Sequence, residues 1–198
     1  MVVGIVLAAG MSTRMGALKQ LLPLAGKTTI EVVVERIRSR LEKVYVVVGY
    51  RADEVSAVLE SDPVECIVNS NFAQGMTSSV KCGIRAAAGA SAFLICLGDQ
   101  PGVGCEAIDA VLEGAKRGRK GIVLPTFQGR RGHPLFIDSS YADEILALPP
   151  DKGLNQVTRA HGDDTLEVPI GQPEVLEDMD TPADYQRELA RFTSDAKG

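Results

Sequence analysis

The sequence predicts an α/β fold, a mostly parallel central sheet with helices on both faces. Three observations lead to it. Short β-branched runs alternate with longer segments of helical pattern. The runs are apolar at almost every position, as strands covered on both faces must be. The chain has 198 residues, 45% of them apolar, which suits one domain with a full core.

The elements follow in order. Val2–Leu7 is a first buried strand, and the opening segment Met1–Gly10 has no basic leader, so it reads as core and not as a signal peptide. A polar, glycine-bearing stretch precedes a helix from about Thr29 to Leu41. Val44–Val48 is the second strand and ends at Gly49. Asp53–Leu59 is a short helix with Val55, Val58 and Leu59 on its apolar side. Cys66–Val68 is the third strand. Ser78–Ala88 is helical, with Val80, Ile84 and Ala87 on one side. Ala92–Leu97 is the fourth strand, Cys105–Lys116 a helix that stops at the basic stretch Arg117–Lys120, and Ile122–Leu124 the fifth strand. Beyond Pro125 the rhythm loosens. Leu135–Ile137 and Leu166–Val168 are short strands, Ala142–Leu148 is a helix ended by Pro149-Pro150, and Pro182–Phe192 is a closing helix with proline in its first turn. The tail Ser194–Gly198 is expected to fray.

Composition excludes several classes. With 21 basic and 26 acidic residues the net charge is −5, which argues against a nucleic-acid partner. No apolar run is long enough to cross a bilayer, and a cytoplasmic location is expected. The cysteines Cys66, Cys82, Cys96 and Cys105 form no CxxC pair and are expected to be free thiols. Two histidines, His133 and His161, are too few for a His/Cys zinc cage. A metal here would be held by carboxylates, which favours magnesium.

In a parallel α/β sheet ligands bind beyond the C-terminal strand ends. The first such loop, Ala8 to Lys19, has small residues, Gly10 and Gly16, and the cations Arg14 and Lys19. Its backbone amides could cradle phosphate, with Arg14 and Lys19 neutralising charge; the alternative is an ordinary turn with solvated cations. The fourth strand delivers Asp99 to the same edge, as a magnesium ligand or as the cap of the next helix. In Asp178-Met179-Asp180-Thr181-Pro182, Asp180 or Thr181 could cap the last helix, and a carboxylate there could also ligate metal. The polar loop Asn69–Ser79 could read a base or ribose, with Ser78 as a plain helix cap the competing reading. Gly129-Arg130-Arg131-Gly132-His133-Pro134 is either a seat for an anionic substrate or a solvated hairpin turn.

Five of these segments together resemble a known family. LAAGMSTRMGALKQLLPL (7–24), GMTSSVKCGI (75–84), LGDQP (97–101), RRGHPLFI (130–137) and DMDTPADY (178–185) are similar, in this order, to the motifs of the MobA-like nucleotidylyltransferases, and most to their molybdenum cofactor cytidylyltransferase branch. The resemblance implies a three-layer Rossmann-like fold in a single domain. Residues 1–125 would be its nucleotide-binding half and 126–192 its acceptor-side half. It implies that CTP or another NTP lies over Leu7, Ala8, Ala9 and Gly10, contacting Arg14, Lys19, Gly75 and Ser79. Asp99 and Asp180 would hold Mg²⁺, with Arg14, Lys19 and Asp99 as catalytic residues. Arg131 and His133 would bind a molybdopterin-type acceptor, and a molybdenum hydroxylase apoenzyme is an implied partner. The alternatives are a sugar-phosphate or alcohol-phosphate acceptor, or a non-catalytic protein that binds and delivers the cofactor.

Overall fold

A computed structural model describes residues 1–195. Chain order gives β1 (Val2–Ala8), the two-residue strands β2 (Pro23–Leu24) and β3 (Lys27–Thr28), α1 (Thr29–Arg38), β4 (Val44–Val48), α2 (Ala52–Val58) and β5 (Glu65–Val68). Then come α3 (Met76–Ala86), β6 (Ala92–Leu97), α4 (Cys105–Gly118), β7 (Ile122–Phe127), β8 (Arg130–Arg131) and β9 (Leu135–Asp138). The last elements are α5 (Ala142–Ala147), α6 (Asn155–Ala160), β10 (Thr165–Pro169) and α7 (Pro182–Asp195).

The main sheet has the order β10-β7-β9-β6-β1-β4-β5, with β8 paired to β7. All pairings are parallel except those of β9 with β6 and β7 and of β8 with β7. The Rossmann-like α/β architecture expected from the sequence is therefore the one observed. The sheet draws strands from both sides of residue 125.

The period of two along each strand divides the core. Val6, Ala8, Val44, Val46, Val48, Leu94 and Cys96 pack on one face with Ile30, Val34 and Ile37 of α1 and Ile108 and Val111 of α4. Val3, Ile5, Leu7, Tyr45, Val47, Phe93, Ile95 and Leu97 pack on the other with Val80 and Ile84 of α3, Ile145 of α5 and Val157 of α6. Each fully buried Val, Leu or Ile contributes about 1.5–3 kcal/mol, so these runs hold the strand ends in fixed register.

Several boundaries differ from the sequence reading. Helix α1 stops at Arg38: the Ser39 amide makes the last regular bond, to the Glu35 carbonyl at 2.9 Å, and Arg40 and Leu41 then both donate to the Ile37 carbonyl at 3.0 Å, which breaks the ladder. Its start is fixed by Glu31, whose carboxylate accepts from the Thr28 amide at 2.7 Å and hydroxyl at 2.6 Å. Strand β7 runs through Pro125 to Phe127. The proline fits because β9 pairs only with Ile122 and Val123, and the Pro125 carbonyl accepts from Gly132 at 2.9 Å. Helix α6 and the β2–β3 hairpin were not expected. The four cysteines are free, as expected. Of the tail expected to fray, Ser194 and Asp195 belong to α7, and residues 196–198 lie outside the described residues. Among the described residues no helix is long and apolar enough to cross a membrane.

Candidate active site

Strands β1 and β6 are neighbours, with Leu7 opposite Leu97, so the loops that follow them meet at one sheet edge. The first loop is folded on itself. Ser12, at φ 53°, accepts from the Lys19 amide at 3.2 Å and donates to Gln20 Oε1 at 3.3 Å. Leu7, Ala8 and Ala9 are buried at its root, Gly10 is exposed, and the Ala9 carbonyl accepts from Tyr50 at 3.2 Å. The loop ends in a single 3-10 turn, Lys19–Leu21, that buries Lys19.

Lys19 is not a solvated cation. Its ammonium donates to Asp99 Oδ2 and, at 2.8 Å, to Asp180 Oδ1. Arg14 donates to Asp180 Oδ2 at 2.5 Å while most of its side chain stays exposed. Arg14, Lys19, Asp99 and Asp180 thus converge. Burial alone would lower the Lys19 pKa; the Asp99 and Asp180 carboxylates outweigh it and hold the ammonium above its ordinary value. The hydrogen bond from Lys19 and the charge of Arg14 hold the Asp180 carboxyl below its ordinary range.

Neither the Asp99 nor the Asp180 carboxylate serves as a helix cap. Helix α4 is preceded by Gly104 as its cap residue, five positions beyond Asp99. At α7 it is Thr181 that caps: its hydroxyl accepts from the Asp184 amide at 3.3 Å, and Asp184 Oδ2 accepts from the Thr181 amide at 2.8 Å and hydroxyl at 2.7 Å. That exchange leaves the Asp180 side chain for Lys19 and Arg14. The segment is pinned by Met179, fully buried, whose amide donates to the Asp99 carbonyl at 2.9 Å. Asp178 accepts from Gln100 Nε2 at 2.8 Å. Burial, and then the nearby Asp99 charge, push the Asp178 carboxyl above its ordinary range. Sequence reasoning passed over Gln100 and Met179; the signal for both was their place inside LGDQP and DMDTP.

The donor set suits magnesium. Two carboxylates from distant segments already address one cation, the Lys19 ammonium. Among the described residues no group of three or more His, Cys, Asp or Glu side chains stands ready to hold a metal. Magnesium binds through one or two carboxylates and takes its remaining oxygens from phosphates and water.

The remaining expected residues lie on the α3 and β8 segments. Gly75, at φ 95°, precedes α3, and Ser78 sits inside the first turn, donating to the Gly75 and Asn71 carbonyls at 2.8 and 3.0 Å, so Ser78 is not the cap. Ser79 is buried, and its hydroxyl accepts from Asn69 Nδ2 at 3.0 Å. The Gly129–Pro134 segment is part of a hairpin: Gln128 and Gly129 both have positive φ, the geometry that joins twisted antiparallel strands. Arg131 is held by Glu167 at 2.7 Å and donates to the Thr158 carbonyl at 3.3 Å. Gly132 has no room for a side chain, since a Cβ there would lie 2.3 Å from the Val175 carbonyl oxygen. His133 donates its amide to that same oxygen at 3.0 Å. Burial pushes its imidazole down to about 4, against the opposing pull of the Asp99 charge, so the ring is neutral near pH 7.

Between α3, α6 and the β8 hairpin lies a cavity of about 550 Å³, which His133 and Arg131 line. Leu7 reaches it from the end of β1, and Met76 and Thr77 from the start of α3. It also holds Arg130, Asn155 and Arg159. The sequence reading had Arg130 within the turn that could seat an anionic substrate; it gave Asn155 and Arg159 no role, and nothing marked them.

Comparison with known proteins identifies the family and the fold. The MobA-like NTP transferase domain matches residues 4–165. The chain is 28% identical over 190 residues to the molybdenum cofactor cytidylyltransferase of Escherichia coli, covering 96% of each. It is 34% identical over 155 residues to the nicotine blue oxidoreductase of Paenarthrobacter nicotinovorans, covering 74% of this chain and 75% of that one. Rv0371c of Mycobacterium tuberculosis superposes with a TM-score of 0.85 at 26% identity, over 96% of this chain and 97% of its own. The same protein has been solved in complex with manganese, and that structure superposes with a TM-score of 0.75 at 25% identity, over 96% and 98%. The chain belongs to the MobA-like NTP transferase family and is an enzyme of the nucleotidyltransferase class.

Proposed function

We propose that the protein transfers CMP from CTP to the terminal phosphate of molybdenum-loaded molybdopterin, with magnesium and with release of pyrophosphate. The single observation that carries this reading is the meeting of Arg14, Lys19, Asp99 and Asp180 at one sheet edge. The choice of nucleotide and acceptor rests on the five motifs and on the relative from Escherichia coli.

In this reading residues 1–125 handle the nucleotide and 126–192 the acceptor. The amides of the first loop and the cations Arg14 and Lys19 hold the triphosphate, aided by Gly75 and Ser79. Asp99 and Asp180 hold Mg²⁺, which when bound draws charge from the phosphates. Arg131 and His133 lie on the acceptor side. An acceptor phosphate oxygen bonds to the α-phosphorus, the bond to the β-phosphate breaks, and pyrophosphate leaves. A phosphate monoester is its own nucleophile, so no side chain has to become one. The residues contribute alignment and charge neutralisation. A neutral His133 adds no competing charge beside the acceptor. The reaction belongs in the cytoplasm, where a molybdenum hydroxylase apoenzyme would take up the product.

The test is pyrophosphate release by the pure protein with Mg²⁺, each NTP in turn and molybdenum-loaded molybdopterin. Release with CTP is expected. No release with CTP, with folded protein and intact acceptor, overturns the proposal. Turnover of a sugar 1-phosphate with the pterin inert would establish the other acceptor class.

A further inference from the structure

Lys19 stands where a metal would have to stand. Its ammonium, on a side chain only 10% exposed, bridges Asp99 Oδ2 and Asp180 Oδ1. Arg14 takes the other Asp180 oxygen, Oδ2. An ion coordinated by both carboxylates must lie between them, so it and the ammonium compete for one place. The third acid of the cluster, Asp178, is turned to Gln100 Nε2 at 2.8 Å.

Only the Lys19 side chain has to move for that place to change hands. Its backbone is fixed by the 3-10 turn Lys19–Leu21 and by its amide, which donates to Ser12 Oγ at 3.2 Å. Lysine carries its charge on a flexible four-carbon stem. The displaced ammonium needs a new anion, since a buried charge without a partner is costly. A divalent ion arriving alone supplies none, and it adds a repulsive charge at short range. A triphosphate brings both the oxygens for Lys19 and further ligands for the metal.

We propose that Lys19 guards the metal position: in the free enzyme its ammonium fills the place between Asp99 and Asp180, and it yields that place only when a triphosphate takes it over, so that metal and nucleotide enter together. The proposal rests on the transfer reading above and concerns the order in which the ligands of that site bind.

The experiment is a titration of the full chain with Mn²⁺, without nucleotide, in which electron paramagnetic resonance reads the free ion. The parent should bind Mn²⁺ weakly. Lys19→Met, similar in size and uncharged, should bind it more tightly by roughly tenfold or more, as one close repulsive charge is removed. Adding Asp99→Asn to Lys19→Met should abolish the gain, which locates the ion at the carboxylates. Far-UV circular dichroism checks each fold, and Lys19→Gln, also uncharged, replaces Lys19→Met should that variant not fold. In the parent, Mn²⁺ and CTP together should raise Tm by more than the sum of their separate effects, and Lys19→Met should shrink that excess. Equal Mn²⁺ affinity in parent and variant, or a gain that survives Asp99→Asn, overturns the guarding role and leaves the transfer reading standing. No Mn²⁺ binding in either protein overturns it together with the metal part of that reading.

Discussion

Lys19 Nζ lies 2.8 Å from Asp180 Oδ1, across 161 residues of sequence. With Asp99 on the same ammonium, the two carboxylates are neutralised by one buried lysine. Removal of that lysine leaves two acids facing one another. Lys19→Met is expected to cost about 2 kcal/mol, below the roughly 3–5 kcal/mol of a fully buried pair because the acids keep some solvent. That corresponds to a fall in Tm of roughly 4–8 °C. Calorimetry with and without Mn²⁺ checks it: added metal should recover part of the loss, and equal losses in both conditions would remove the shared-cation account.

Asp99→Asn keeps size and polarity but removes the charge. The expected outcome is a fall in kcat of about 10²- to 10³-fold, on the scale seen when charge stabilisation at a reacting centre is lost. Thermal unfolding should change little by comparison. Full activity in a folded variant would remove Asp99 from catalysis.

The Asp184 carboxyl is held far below its ordinary range, chiefly by the Thr181 hydroxyl and further by Arg187 and two backbone amides. A depressed folded pKa contributes stability that is present above the ordinary carboxylate pKa and lost as pH falls through the folded value. Asp184→Asn should therefore lower stability at pH 7 by about 1 kcal/mol, the scale of a helix cap. The gap from the parent should close under strongly acidic conditions. Urea midpoints measured across the acid range decide it, and a gap independent of pH would contradict it.

His133 has the same sign of shift for a different reason, since burial excludes the charged imidazolium. The stability it contributes is whole above pH 6.5 and declines as pH falls toward about 4. NMR of the imidazole should show it still neutral at pH 5.5. His133→Gln should flatten the dependence of the urea midpoint over that interval. A ring that titrates at its ordinary value would refute the burial argument.

Gly132→Ala places a methyl group 2.3 Å from the Val175 carbonyl oxygen, which is backbone and cannot rotate away. A cost of about 1–3 kcal/mol is expected, together with a raised acceptor KM as His133 shifts. Unchanged denaturant midpoints would show that the turn has slack the contact denies.

Much of this was legible in the sequence. The strands β1, β4 and β6 are unbroken apolar runs, and a run covered on both sides has few other readings. The edge strand β5 and helix α6 carry weaker patterns: α6 spans six residues, Asn155–Ala160, and only Val157 and Thr158 are buried. The loops of the site could be chosen from strand ends, but the partners within it could not. Asp99 and Asp180 meet Lys19 across 80 and 161 positions, and no local pattern records such a meeting. The choice between Asp180 and Thr181 as cap was decided by Asp184, whose carboxylate closes the turn around Thr181. The cavity was hidden for a similar reason, since its walls come from α3, α6 and the β8 hairpin.

Strand β9 runs against its neighbours β6 and β7. A forward strand brings the residue that follows it to the reactive rim; a reversed one brings the residue that precedes it. His133 and the hairpin before it therefore reach that rim by the opposite route from Lys19 and Asp99. On the proposed reading, a change in this one incoming loop would alter which molecule receives the nucleotide, while the residues proposed to grip phosphate would stay intact.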